Sequence, residues 1–208
     1  MTTASAPGSV TSSRGGRPRD PSRDGAIRTA IVEVLIEYGY AGVTMDAVAA
    51  AAGVGKATIY RRWRTKSDLV ADAVAELSRG TCEQPDTGSL EADLRVLLRW
   101  LVQAVNGPLG AATLALLSAL PHDPGLRNAF HSGPLAGWTG SFREAWSRAA
   151  RRGEVSEDVL GTAVAATASA PILQRWLFSG RPVDDAFADE VLTRVVRPLV
   201  VAHAPAAG

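Results

Sequence analysis

The sequence predicts an all-α chain on two observations. Apolar residues recur at three- and four-residue spacing through most of the 208 positions, and no stretch alternates with the period of two that a half-buried strand requires. Glycine and proline punctuate the stripes, and no internal repeat relates one to another. The expected architecture is an N-terminal three-helix unit containing a helix-turn-helix, followed by a C-terminal helical bundle.

Residues 1–21 are rich in Gly, Ser, Thr and Pro and include Arg14, Arg17 and Arg19, so they predict a basic arm too polar to bury surface of its own. Residues 22–64 form the first domain. Ile27, Ile31, Val34, Leu35 and Tyr38 lie on one helical stripe, predicting a helix that opens near Ser22 and closes at Gly39. Thr44 can cap a second helix, with Asp46 in its first turn and Met45, Val48, Ala49 and Ala52 facing inward. Gly53-Val54-Gly55 supplies a sharp turn, and a third short helix runs from Lys56 to about Trp63.

Thr65 and Asp68 make a capping box that opens a connecting helix over 65–80, with Leu69, Val70, Ala73, Val74 and Leu77 on its apolar face. Pro85 and Gly88 then break the pattern, and residues 81–208 form the second domain. Its first stripe is Leu90, Leu94, Leu97, Leu98, Leu101 and Val105. Two more follow over 109–120 and over 134–152, the latter with Trp138, Phe142 and Trp146. A helix over 158–178, dense in alanine, and one over 184–201, with Ala188, Val191, Leu192, Val195, Val196 and Leu199, close the chain.

Composition narrows the function classes. One cysteine, Cys82, forms no intramolecular disulfide, and no Cys/His cluster has metal-ligand spacing, so a reducing compartment and no structural metal or other cofactor are expected. The N-terminus lacks the apolar segment of a secretory signal, and the apolar run over 159–173 is short of the roughly 20 residues a bilayer crossing needs. A cytoplasmic protein without membrane contact is the expectation. Net charge is +1, but its distribution is uneven: +5 over 14–66 and −2 over 80–208. No paired carboxylates, Ser/His/Asp or Cys/His set supports an enzyme.

The basic half holds the motif that carries chemistry. A helix that reads the major groove must present polar side chains on one arc while the other is anchored in a core. Ile59 and Trp63 share the inward face of the third helix, leaving Lys56, Ala57, Thr58, Tyr60, Arg61 and Arg62 around the rest. Lys56 and Thr58 suit base edges, and Ala57 lets the helix approach and suits a thymine methyl. Tyr60, Arg61 and Arg62 suit flanking phosphates, although arginines on a short exposed helix are often only solvated. Thr44 and Lys66, at the starts of helices, suit a phosphate oxygen, and Arg17 and Arg19 the minor groove.

The run from Thr44 through Gly53, Lys56, Thr58, Tyr60, Trp63 and Lys66 to Leu69 resembles the DNA-binding signature of the TetR (tetracycline repressor) family of transcriptional regulators. The segments over 109–126 and 169–180 resemble one C-terminal subtype of that family more weakly. The resemblance implies a three-helix DNA-binding domain, a linking fourth helix, homodimerisation through the last two long helices, and an inducer pocket among the central helices. The function expected is that of a homodimeric repressor released from palindromic double-stranded DNA by a small-molecule effector. Candidate pocket residues are Trp100, Ala104, Leu117, His122, Trp138, Phe142 and Trp176, although aromatics at helical spacing serve packing as readily, and a histidine at a helix junction often has no ligand. Alanines at 163, 165, 166, 168 and 170 allow another helix to approach closely, which independently suggests pairing.

Overall fold

The computed structural model describes residues 21–78 and 84–205, and among them every regular element is helical. The expected arm residues Arg17 and Arg19, and Cys82, lie outside the described residues.

Helix α1 (Pro21–Gly42) buries Ile27, Ile31, Val34 and Leu35 along the expected stripe. Gly39 takes φ +67°, a left-handed conformation that side chains disfavour, and the chain leaves the helical path there. The expected inward role of Tyr38 is therefore corrected. It lies exposed just before the break, and Tyr40 beyond it packs against the core instead.

Helix α2 (Met45–Ala51) starts at Thr44, whose hydroxyl oxygen accepts the Ala47 amide at 3.0 Å. Gly53, at φ +63°, turns the chain toward α3 (Lys56–Tyr60). This helix is shorter than the sequence suggests. After Tyr60 a last turn, held by the Trp63 amide donating to Ile59, swings Trp63 into the core, where its indole N–H donates to Asp72 at 3.1 Å. Helix α4 (Lys66–Ser78) opens with the expected capping box: Thr65 Oγ1 accepts the Asp68 amide at 3.1 Å, and Asp68 accepts the Thr65 amide at 3.3 Å.

Helix α5 (Leu90–Asn106) is capped by Ser89 and buries Leu90, Leu94, Leu97, Leu98 and Leu101. Gly107 then begins a 66° bend into α6 (Pro108–Leu117). The corner is tight enough that a Cβ on Gly110 would lie 2.1 Å from the Val105 carbonyl oxygen. Asp123 caps α7 (Pro124–Phe130), a helix that periodicity did not reveal. A wide π turn (His131–Leu135) carries it directly into α8 (Ala136–Arg151), so the unit expected to start at 134 begins ten residues earlier. The turn contains Pro134, which has no N–H to donate to the helical ladder.

The continuous helix expected over 158–178 is not formed. Two 3-10 turns (Glu157–Gly161 and Ala163–Ala166) precede a short α9 (Ala170–Gln174) and a wide turn (Arg175–Ser179). The reason is local competition for backbone groups. Thr162 and Thr167 donate their hydroxyls to the carbonyls three residues back, at 2.9 and 2.6 Å, and Thr162 accepts the Val164 amide. The final helix does run over the expected range, as α10 (Asp185–Val191), a wide turn (Leu192–Val196) and α11 (Arg197–Ala202), with Pro198 just beyond the widening.

One apolar core runs through both halves of the chain. Helix α1 packs on α6, and α4 packs on α6 and α7, so the N-terminal head rests directly on the C-terminal domain. No single described helix is long and apolar enough to cross a membrane.

Candidate nucleic-acid interface

The interface is built on α3. Ile59 is 0% exposed and Trp63 6%, whereas Tyr60 is 54% exposed and Lys56, Ala57 and Arg61 are also open to solvent. Thr58 is half-buried. An inward Ile/Trp anchor thus leaves a polar arc outside, the division of labour a groove-reading helix requires.

Not every charge on this arc is free. Lys56 is ion-paired with Asp46 across the turn between α2 and α3, and the carboxylate raises the Lys56 pKa, so the ammonium stays charged. Arg62 is half-buried and ion-paired with Asp24 at the start of α1, which pins the turn after α3 to the first helix. Arg61 is exposed. Behind them, Asp72 of α4 accepts both the Trp63 indole at 3.1 Å and the Arg28 guanidinium at 3.0 Å, bracing α1, α3 and α4 against each other.

Two further cationic or hydroxyl groups flank this arc. Thr44 is exposed, and because its oxygen accepts the Ala47 amide its hydroxyl hydrogen remains available to a phosphate. Lys66 sits 4.0 Å above the Tyr40 ring and donates to the Ala41 carbonyl at 3.4 Å. Partial burial lowers its pKa. Tyr40 is a residue the sequence reading missed: it lies off the stripe that picked out Tyr38, and it packs inward only because the chain leaves the helical path at Gly39.

Fold and motif together match known families. Residues 27–73 match the model of bacterial regulatory proteins of the tetR family, and residues 84–195 match the tetracyclin repressor-like C-terminal domain. The chain belongs to the TetR family. Over 185 residues it is 34% identical to a DNA-binding transcriptional repressor TetR of Mycobacteroides abscessus, covering 86% of this chain and 97% of that one. Among solved structures it resembles a TetR-family member from Streptomyces coelicolor A3, at TM-score 0.63 and 26% identity over 84% of this chain and 98% of the other. It shares its fold with the regulator FadR of Bacillus subtilis, solved with stearoyl-CoA, at TM-score 0.64 and 19% identity over 84% of this chain and 98% of that chain. This TetR-family chain is accordingly a DNA-binding transcriptional repressor, and its relatives are regulators, not enzymes.

The expected effector residues are scattered by comparison. Trp100 of α5 and Trp138 of α8 meet edge to face with ring centroids 6.1 Å apart, and Phe142 is buried one turn beyond Trp138. Ala104 and Trp176 are half-buried, whereas Leu117 and His122 are exposed. The indole N–H groups of Trp100, Trp138 and Trp146 are buried without a hydrogen-bond partner among the described residues. A cleft of about 440 Å³ lies elsewhere, between the start of α5 and the last helix, lined by Glu91, Arg95, Val196, Arg197 and Val200 among others and by none of those seven residues.

Proposed function

We infer that this repressor grips a palindromic operator as a homodimer and lets go when a small molecule enters the C-terminal domain. The observation that carries the DNA half of this reading is the contrast on α3, with Ile59 sealed in the core and Tyr60 next to it open. Lys56, Ala57 and Thr58 then read bases, while Tyr60, Arg61, Thr44 and Lys66 hold phosphates. Arg62 joins them only by leaving Asp24, and Arg17 and Arg19 reach the adjacent minor groove.

Exposed apolar surface on the last helices supports pairing: Phe178 is 79% exposed and Val201 72%, and a second copy would cover such groups. Pairing sets two short reading helices about 34 to 36 Å apart, one turn of B-DNA. The buried indole donors of Trp100 and Trp138 support an effector site between α5 and α8, with Phe142, Ala104, Leu117, His122 and Trp176 as further candidates. FadR, in its complex with stearoyl-CoA, is a precedent for a small molecule on this fold. A DNA-binding repressor role supports a cytoplasmic location.

Footprinting on genomic DNA tests the reading. A protected palindrome is expected, and a compound that releases it identifies the effector. Lys66→Ala and Tyr60→Phe should weaken binding to all sequences alike, while Lys56→Ala should change preference among operators. Unchanged affinity in all three variants would show the wrong helix has been assigned.

A further inference from the structure

The grip on DNA is not assembled by the head alone. Lys66 lies over the Tyr40 ring, and Tyr40 is held at its far end by a residue of the C-terminal domain. The Tyr40 hydroxyl donates to Asp123 Oδ2 at 2.6 Å, across 83 residues of sequence. Ser67, the neighbour of Lys66 in the first turn of α4, donates to the same oxygen at 3.0 Å, and its hydroxyl lies 3.1 Å from that of Tyr40. The other carboxylate oxygen, Oδ1, accepts the Leu126 amide at 2.8 Å and so caps α7. One carboxylate therefore joins the α1–α2 connection, the start of α4 and the start of α7.

Space at the junction is closely filled. A Cβ on Gly125 would stand 3.3 Å from Asp123 Oδ1 and 3.6 Å from Ser67 Oγ, so the α7 backbone presses against the bonded groups. The protonation states suit the arrangement. The Leu126 amide and the Tyr40 hydroxyl hold the Asp123 carboxyl below its ordinary value, while burial and Asp123 push Tyr40 up to about 12. Donor and acceptor roles thus persist across the working pH range.

We propose that Asp123 is a positioning residue for DNA binding: through Tyr40 and Ser67 it holds the Lys66 ammonium at the phosphate backbone, making the turn before α7 part of the DNA-binding machinery. This rests on the reading of Lys66 as a phosphate clamp. A tyrosine tethered at its hydroxyl cannot swing from beneath the ammonium, and a Ser67 tied to the same carboxylate sets the phase of the first turn of α4. Movement of the turn between α6 and α7 then reaches the DNA grip directly, without first rotating α4 as a whole.

The test uses the full chain and the duplex it selects from a random-sequence pool, with affinity measured over a series of salt concentrations. Asp123→Asn keeps one oxygen for the Leu126 amide and replaces the other with a group that cannot accept from Tyr40. Tyr40→Phe keeps the ring and removes the donor. Each is expected to weaken binding about three- to tenfold, the scale of one lost hydrogen bond. Each should also lower the salt slope by about one, as Lys66→Ala does, with no further loss when combined with Lys66→Ala. Wild-type affinity and slope in both variants, beside a weakened Lys66→Ala, would overturn the proposal and leave the clamp reading standing. So would losses that simply add to that of Lys66→Ala with an unchanged slope, since these mark a general structural role. If Lys66→Ala itself binds like the wild type, the clamp reading fails first. Should Asp123→Asn not fold, Tyr40→Phe decides alone.

Discussion

The head and the C-terminal domain solve the problem of a helical core differently. Helices α2 and α3 are 7 and 5 residues long, too short to be stable through their own ladders, and polar pins hold them. Thr44 caps α2, Arg62 pairs with Asp24, and Asp72 receives both Trp63 and Arg28. The C-terminal domain relies on the 17-residue α5 and 16-residue α8, which bury leucine and tryptophan and leave three indole N–H groups without partners. Helices this short need such pins to be held in place, and among the described residues no buried side-chain polar atom of the head lacks a partner. On the proposed reading, a domain that admits a ligand tolerates donors left unmet.

The comparison is broken first at the anchor. Ile59→Ala should cost about 3 kcal/mol or more by leaving a cavity under α3, abolishing DNA binding while the helices beyond α5 stay folded. Thermal unfolding followed by circular dichroism, beside a gel shift, checks both parts. If the whole chain melts as one unit instead, the shared core couples the halves more tightly than the contrast implies.

A paired substitution sharpens the difference in polar satisfaction. Trp63→Phe and Trp138→Phe remove similar volume, but only the first breaks a made hydrogen bond to a carboxylate. The first should therefore be the more destabilising by about 1.5 to 3 kcal/mol, measured by denaturant unfolding. Equal losses would remove the contrast.

Next in size is the cap. Thr44→Ala should cost about 1 kcal/mol, seen as a lower urea midpoint with unchanged slope. On the proposed reading of Thr44 as a phosphate contact, it should also weaken DNA binding.

The smallest effect is in pH. Because Tyr40 is raised from its ordinary value of 10 to about 12 in the folded protein, the stability it contributes is complete below pH 10 and is lost as pH rises toward 12. Wild type and Tyr40→Phe should thus differ in unfolding midpoint near neutrality and converge as pH passes about 12. Asp123, with a depressed value, contributes stability above the ordinary carboxylate range and loses it as the solution is acidified below that range.

What could be read in advance follows the range of the interactions. Thr44, Gly53, the Thr65/Asp68 box and the inward Ile59 act over three or four residues, and each is found where its local chemistry puts it. The stretch over 158–178 misled because alanines mark a close approach without saying which backbone groups Thr162 and Thr167 will claim. The helical stripe favoured Tyr38 over Tyr40, and only the break at Gly39 turns that order round, leaving Tyr38 exposed and Tyr40 packed against the core.

By itself, then, the sequence determined that the chain is helical, where the Thr44 cap, the Gly53 turn and the Thr65/Asp68 box fall, and that α3 turns Ile59 inward and leaves a polar arc outside, because hydrogen bonds within a turn and a 3.6-residue stripe need no distant partner. Tertiary structure alone decided that Asp123 meets Tyr40 and Ser67, that Arg62 turns to Asp24, and that Trp100 and Trp138 meet edge to face with no acceptor for either indole among the described residues. Those outcomes depend on which helices come to lie side by side, and packing of the whole core sets that.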